Sequence, residues 1–200
     1  MTNQPGLVAL VRCDDYDPAR VCDAVARGLS LLGSVEKYVQ PGERILLKVN
    51  LLAASPPAKA VTTHPSVFEA VAKQALAAGA RVSYGDSPGF GRPEFAAKRA
   101  GLTVVGEALG LTFADFVNGK VVSNPDGKQL KQFTLAAGIL ESDGVISLPK
   151  LKTHALTRMT GAVKNQFGCI PGFLKGEFHA RMSEMDRFAR MLVDLTQFVR

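Results

Sequence analysis

Residues 144–154 read G-V-I-S-L-P-K-L-K-T-H. The first five are apolar or small and form a short run, the pattern of a buried strand. Pro149 ends it, because proline cannot donate to a strand ladder. Beyond the proline, Lys150, Lys152 and His154 fall two apart, so an extended chain turns all three to one side. Three ionisable groups on one side are poor core material, because an unpaired buried charge is costly. They suit an anionic ligand, and the plainer alternative is a solvated basic loop.

Working outward, the run R-I-L-L-K-V at 44–49 and R-V-S-Y at 81–84 read as further strands, and so does the apolar run L-V-A-L-V at 7–11. Helical patterns separate them. Asp17-Pro18 offers an N-cap and a first-turn proline, followed by Val21, Cys22, Val25, Leu29 and Leu32 at helical spacing and a stop at Gly33. A second helix opens at Pro65, with Val67, Val71, Ala75 and Ala78 on its expected buried face and Gly79 as its end. Residues 92–109 suggest one or two helices broken near Gly101, and 111–117 a further strand. Asn124-Pro125-Asp126-Gly127 has turn chemistry between apolar runs and predicts a β-hairpin. A short helix at 136–140 and a terminal one at 183–199 complete the series.

Strands alternating with helices predict an α/β fold: a mainly parallel sheet with helices on both faces and a hairpin excursion near 120–135. The stretches 44–49, 81–84 and 144–148 are the expected central strands. The 200 residues read as one α/β domain, or as the N-terminal portion of a longer chain. The terminal helix has an apolar stripe of Met185, Phe188, Leu192, Leu195 and Val199. That stripe needs a partner surface, and a homodimer or a missing C-terminal domain would supply one.

In open α/β sheets ligands sit beyond the carboxyl ends of the strands. Polar residues fall there repeatedly: Lys48 and Asn50 at the end of the 44–49 run, Asp86 and Ser87 after 81–84, and Lys150, Lys152 and His154 after 144–148. Thr62, Thr63 and His64 lead into a helix N-terminus, where backbone N–H groups favour anions. Lys164 and Asn165 follow in the next segment. G-D-S-P-G-F-G at 85–91 is glycine-rich but has neither phosphate-loop spacing, so a tight turn explains it as well.

The net charge of +6 allows phosphate binding, yet no basic run interleaved with aromatics is present, and nucleic acid is not an expected partner. No stretch is long and apolar enough for a membrane span, and M-T-N-Q-P-G does not begin a signal peptide. The cysteines, Cys13, Cys22 and Cys169, form neither a disulfide framework nor a metal-binding pair by spacing. They point to a reduced, cytoplasmic protein. Cys169 reads as a buried thiol, with a reactive one as the alternative. His64, His154 and His179 are too dispersed in sequence to form a metal motif, and acid/base or hydrogen-bonding roles fit them better.

Four blocks carry a family resemblance: T-T-H-P at 62–65, G-D-S-P-G at 85–89, L-P-K-L-K-T-H at 148–154 and T-G-A-V-K-N-Q-F-G at 160–168. In this order they resemble the signature of domain of unknown function family 362, over nearly the whole chain. Some members of that family carry a ferredoxin-like iron–sulfur domain. The cysteines for it are missing here, so this chain alone is not expected to ligate such a cluster. Family chains usually continue further, which again suggests a short form or an N-terminal portion.

The expectation is therefore a protein that binds a small anionic metabolite. Lys48, Asn50, Thr62, Thr63, Ser87, Lys150, Lys152, Lys164 and Asn165 would hold phosphate or carboxylate. His154, His64 and Asp86 would be the acid/base or orienting groups. The rival expectation is a non-catalytic redox or assembly partner of an iron–sulfur protein.

Overall fold

The sheet is built on β1 (Arg44–Lys48), four of whose five residues are buried. In the computed structural model of the protein, residues 6–155 and 157–199 are described, without the side chain of His179. β2 (Arg81–Gly85) pairs with one side of β1 and β6 (Gly144–Ser147) with the other, both in parallel. β3 (Thr112–Phe113) extends the sheet beyond β2, giving the order β3-β2-β1-β6. Lys48 stands opposite both Gly85 and Ser147. The carboxyl ends of the three main strands therefore share one edge.

The pleat of β1 divides the core in two. Ile45 and Leu47, with Val49 just beyond the strand, enter one layer with Phe68, Ala72 and Ala75 of α2 (Pro65–Ala77). α3 (Pro93–Arg99) and α4 (Leu102–Ala108) complete that layer through Ala97 and Leu102. α1 (Pro18–Leu31) lies against α2, and the Asp17 carboxylate caps it by accepting the Ala19 and Arg20 N–H groups. Leu46 points the other way. It meets Phe116, the hairpin of β4 (Gly119–Ser123) and β5 (Gln132–Ala136), and α8 (Met185–Phe198). Burying each such leucine is worth roughly 1.5–3 kcal/mol.

The hairpin is tied to α8 by Asp194, whose carboxylate accepts the backbone N–H groups of Lys128, Gln129 and Leu130 at 2.6–2.9 Å. Phe188, Leu192 and Leu195 of α8 are buried in the chain's own second layer, while Met185 remains exposed. The apolar stripe of the terminal helix is thus largely covered from within.

Three expectations need correction. Residues 7–11 form no strand, and Leu7, Val8 and Leu10 are 69%, 85% and 96% exposed. An apolar run becomes a strand only beside a partner, and this run pairs with none of the sheet's strands. The buried face of α2 is centred on Phe68, Ala72 and Ala75, with Val67 and Val71 half-buried, because the larger Phe68 claims the interior. β6 is an edge strand with half-buried residues, not a central one. The break between α3 and α4 falls at Gly101, whose φ of 76° is readily available to glycine.

Candidate functional site

At the carboxyl edge of the sheet lies a buried ion pair. Lys48 Nζ sits 2.6 Å from Asp86 Oδ1, and both side chains are almost wholly buried. Lys48 also donates to the carbonyls of Val49 and Asn165, each at 3.0 Å. Asp86 Oδ2 accepts the Leu51 N–H at 2.6 Å. Both charges are therefore compensated internally, as burial demands. Gly168 makes this close approach feasible: a Cβ there would lie 1.9 Å from Asp86 Oδ1 and 2.7 Å from Lys48 Nζ.

Above the pair opens a cleft of about 230 Å³. Asp86, Ser87, Asn165 and Gly168 form part of its lining. Lys150, Lys152, His154 and Lys164 also line it, with Asn50 at the end of the β1 loop. The chain past Pro149 stays extended as β7 (Lys152–His154), which pairs with β8 (Arg158–Thr160) as a small antiparallel hairpin. That hairpin explains how alternating residues reach one side. The Thr160 hydroxyl donates to the Lys150 carbonyl at 3.1 Å and holds its base. α6 (Ala162–Asn165) then brings Lys164 to the opposite part of the cleft, its ammonium over the Phe167 ring at 4.8 Å.

The lysines feel their surroundings. Burial, and next the charge of Lys150, lowers the Lys152 pKa to about 8. Its ammonium donates to Asn50 Oδ1 and to the Lys150 carbonyl. Burial also lowers Lys164. Lys175, on α7 (Gly172–Arg181), reaches the same cleft and donates to the carbonyls of Ser87 and Pro88. Burial lowers its pKa to about 8.

His154 Nδ1 accepts the Thr157 N–H at 3.2 Å, which sets the neutral ring as the Nε2–H tautomer. His64 is engaged differently. Its Nδ1 caps α2 by accepting the Ser66 N–H at 3.2 Å, and its ring stacks on Tyr16 at 3.9 Å. Burial, then the charge of Lys150, lowers its pKa. Lys150 Nζ donates to the Tyr16 hydroxyl at 2.5 Å, so Tyr16 joins the two.

Of the residues expected at the site, Asn50, Asp86, Ser87, Lys150, Lys152, His154, Lys164 and Asn165 meet on the cleft wall. Lys48, Thr62, Thr63 and His64 stand outside that wall. Thr63 is a structural tie: its hydroxyl accepts the Asn50 N–H at 2.8 Å and donates to the Leu148 carbonyl at 2.6 Å. Thr62 is buried, and its hydroxyl has no hydrogen-bond partner among the described residues. Cys169 is buried, and burial pushes its thiol up to about 12, so it is not a nucleophile at neutral pH. Among the described residues no three His, Cys, Asp or Glu side chains gather as a metal set. No helix among them is long and apolar enough to cross a membrane.

The family model described as Domain of unknown function (DUF362) matches residues 45–200, which contain every residue of the cleft wall and all of the sheet but Arg44. The chain belongs to the DUF362 family. A relative, the thylakoid-associated protein sll1697 of Synechocystis sp., is 35% identical over 193 residues, covering 96% of this chain and 60% of its own length. This DUF362 chain thus spans less than two thirds of that relative. No solved structure matches it.

Among the wall residues of this DUF362 cleft that escaped sequence reasoning are Lys175 and Phe90. Lys175 lies on a helix, away from any strand end, so the rule that strand ends carry the site could not find it. Phe90 follows the glycine-rich loop, where attention goes to backbone N–H groups and not to an apolar side chain.

Proposed function

We propose that this DUF362 protein binds a small anion, a carboxylate or phosphate, in the cleft above the Lys48–Asp86 pair, with the His154 Nε2–H as a hydrogen-bond donor to it. The observation that carries the reading is a charge imbalance. Asp86 is the acidic residue on the wall, and it is already neutralised by Lys48. Lys150, Lys152, Lys164 and Lys175 remain as an uncompensated cationic group. Lysines this close repel one another by roughly 1 kcal/mol or more per pair at intermediate dielectric, and an anion removes that cost. His154 lines the same cleft, and its Nε2–H can donate a hydrogen bond to a bound oxyanion.

The test is calorimetry with inorganic phosphate and acetate. Replacing Lys152 with Ala should weaken binding by about 10- to 100-fold, the worth of a hydrogen bond to a charged group. The fold should hold, because Lys152 is only half-buried. Binding equal to that of the unaltered protein would remove the mechanism.

A further inference from the structure

We propose that the ligand is an amphiphilic anion: a carboxylate or phosphate head in the cationic cleft, carrying an apolar tail that lies in an adjoining groove beneath Phe90 and Phe173. The head placement rests on the anion reading above. The tail rests on separate observations.

A second cavity, of about 490 Å³, adjoins the cleft, and Ser87 and Phe90 line both. Its wall includes Pro88, Phe116, Val117 and Phe173. The charged side chains on that wall are Arg92 and Glu94, of opposite sign, so the groove has no net preference for a charge. The cationic chamber and a largely apolar one thus share part of their wall. The chamber alone falls below the roughly 300–1,000 Å³ of small-molecule sites, and the groove brings the combined space within that range.

Phe90 and Phe173 are 86% and 75% exposed, yet both flank this one groove. A single exposed phenylalanine needs no explanation, but a pair bordering a groove is an apolar patch awaiting cover. The backbone leaves the floor open. Gly172 packs so closely that a Cβ there would lie 3.0 Å from Ser87 Oγ and 3.1 Å from the Pro88 carbonyl. Gly89 and Gly91, on either side of Phe90, add no side chains to the wall.

The head and the tail make separable demands, and charge complementarity fixes their order. The lysines sit at one end only, so an anion with a tail can enter in one orientation. An apolar tail on a neutral head would leave the lysine repulsion unrelieved, and a tailless anion would leave the phenylalanines wet.

The experiment is calorimetry on the full chain with the straight-chain carboxylates acetate, butyrate, hexanoate and octanoate, all as monomers in solution. Affinity should rise by about two- to fourfold per added methylene, as expected for partial to full burial of each group. In Phe173→Ala that rise with length should flatten. In Lys152→Ala the whole series should weaken while the rise per methylene persists. A flat series in which acetate still binds overturns the tail and leaves the anion reading standing. Binding of inorganic phosphate without binding of any member overturns this proposal alone, and binding of neither overturns the anion reading with it. Binding to phosphatidylglycerol vesicles without binding of monomeric octanoate would assign the phenylalanine pair to a lipid surface and also overturn the proposal.

Discussion

The floor and the wall of the cleft are both built from lysines, yet they solve opposite problems. On the floor, Lys48 is fully buried and meets one carboxylate and two carbonyls. On the wall, Lys150, Lys152 and Lys164 share the space with no acidic partner beyond Asp86, which the floor already holds. The floor's charges are matched within the fold, so they hold structure together. The wall's ammonium groups meet neutral partners in the fold, Asn50 Oδ1, the Lys150 carbonyl, the Tyr16 hydroxyl and the Phe167 ring, and have no carboxylate of their own, so their charge is available to a ligand. Residue type alone does not separate these roles; what separates them is whether the fold itself supplies the counter-charge.

The sharpest way to break that comparison is on the floor. Replacing Asp86 with Ala strands the Lys48 ammonium in the interior, and the loss should be roughly 3–5 kcal/mol, the cost of leaving a buried charge unpaired. Urea denaturation measures it. A loss within the range of a surface change would mean that the pair is not the structural floor. Replacing Gly168 with Ala tests the same floor sterically. The added methyl would collide with both members of the pair, so a loss of about 1–3 kcal/mol is expected from overpacking. An unchanged melting temperature would show that the floor has slack.

The smallest expected effect sharpens the wall. Lys152 holds its proton only up to about pH 8 in the fold, against about 10.4 for an ordinary lysine. On the proposed reading the charged form holds the anion, so phosphate affinity should hold below pH 8 and decline as the pH rises through it. Stability should move the other way. With Lys152 and Lys175 depressed in the folded state, the unfolded chain binds more protons between about pH 8 and 10.4. Folding therefore becomes more favourable as the pH climbs through that window. Phosphate titrations and urea midpoints at pH 7 and 9 check both signs. Affinity that stays level to pH 9 would show that Lys152 does not supply the binding charge.

Much of the fold was legible because it rests on local patterns. Asp17-Pro18, Gly101 and the Asn124–Gly127 turn each announce an element boundary through their own chemistry. Residues 7–11 mislead because apolarity is local and strand pairing is not: the run is as apolar as β1 but pairs with none of the sheet's strands. The candidate site was legible where it follows strand ends, as with Asn50, Asp86 and Lys152. It was illegible where a helix delivers the residue, as with Lys175, or where a residue is diverted to structural work, as with Thr63 and His64. Lys48 shows the limit best. Its position at the end of β1 was clear, but its enclosure depends on Asn165 and Gly168, far along the chain.

That distance has a consequence of its own. Lys48 and Asn165 are 117 residues apart in the chain. The cleft is therefore a property of the finished topology: a chain that has paired β1 with β2 but not yet brought in residues 161–175 possesses neither roof nor complete floor. A ligand that needs both ends of this closure binds only the native state, and by mass action each tenfold excess of it over its dissociation constant shifts the folding equilibrium by about 1.4 kcal/mol. On the proposed reading, occupancy and completion of the fold become one equilibrium, in which the anion would act as the last tertiary contact.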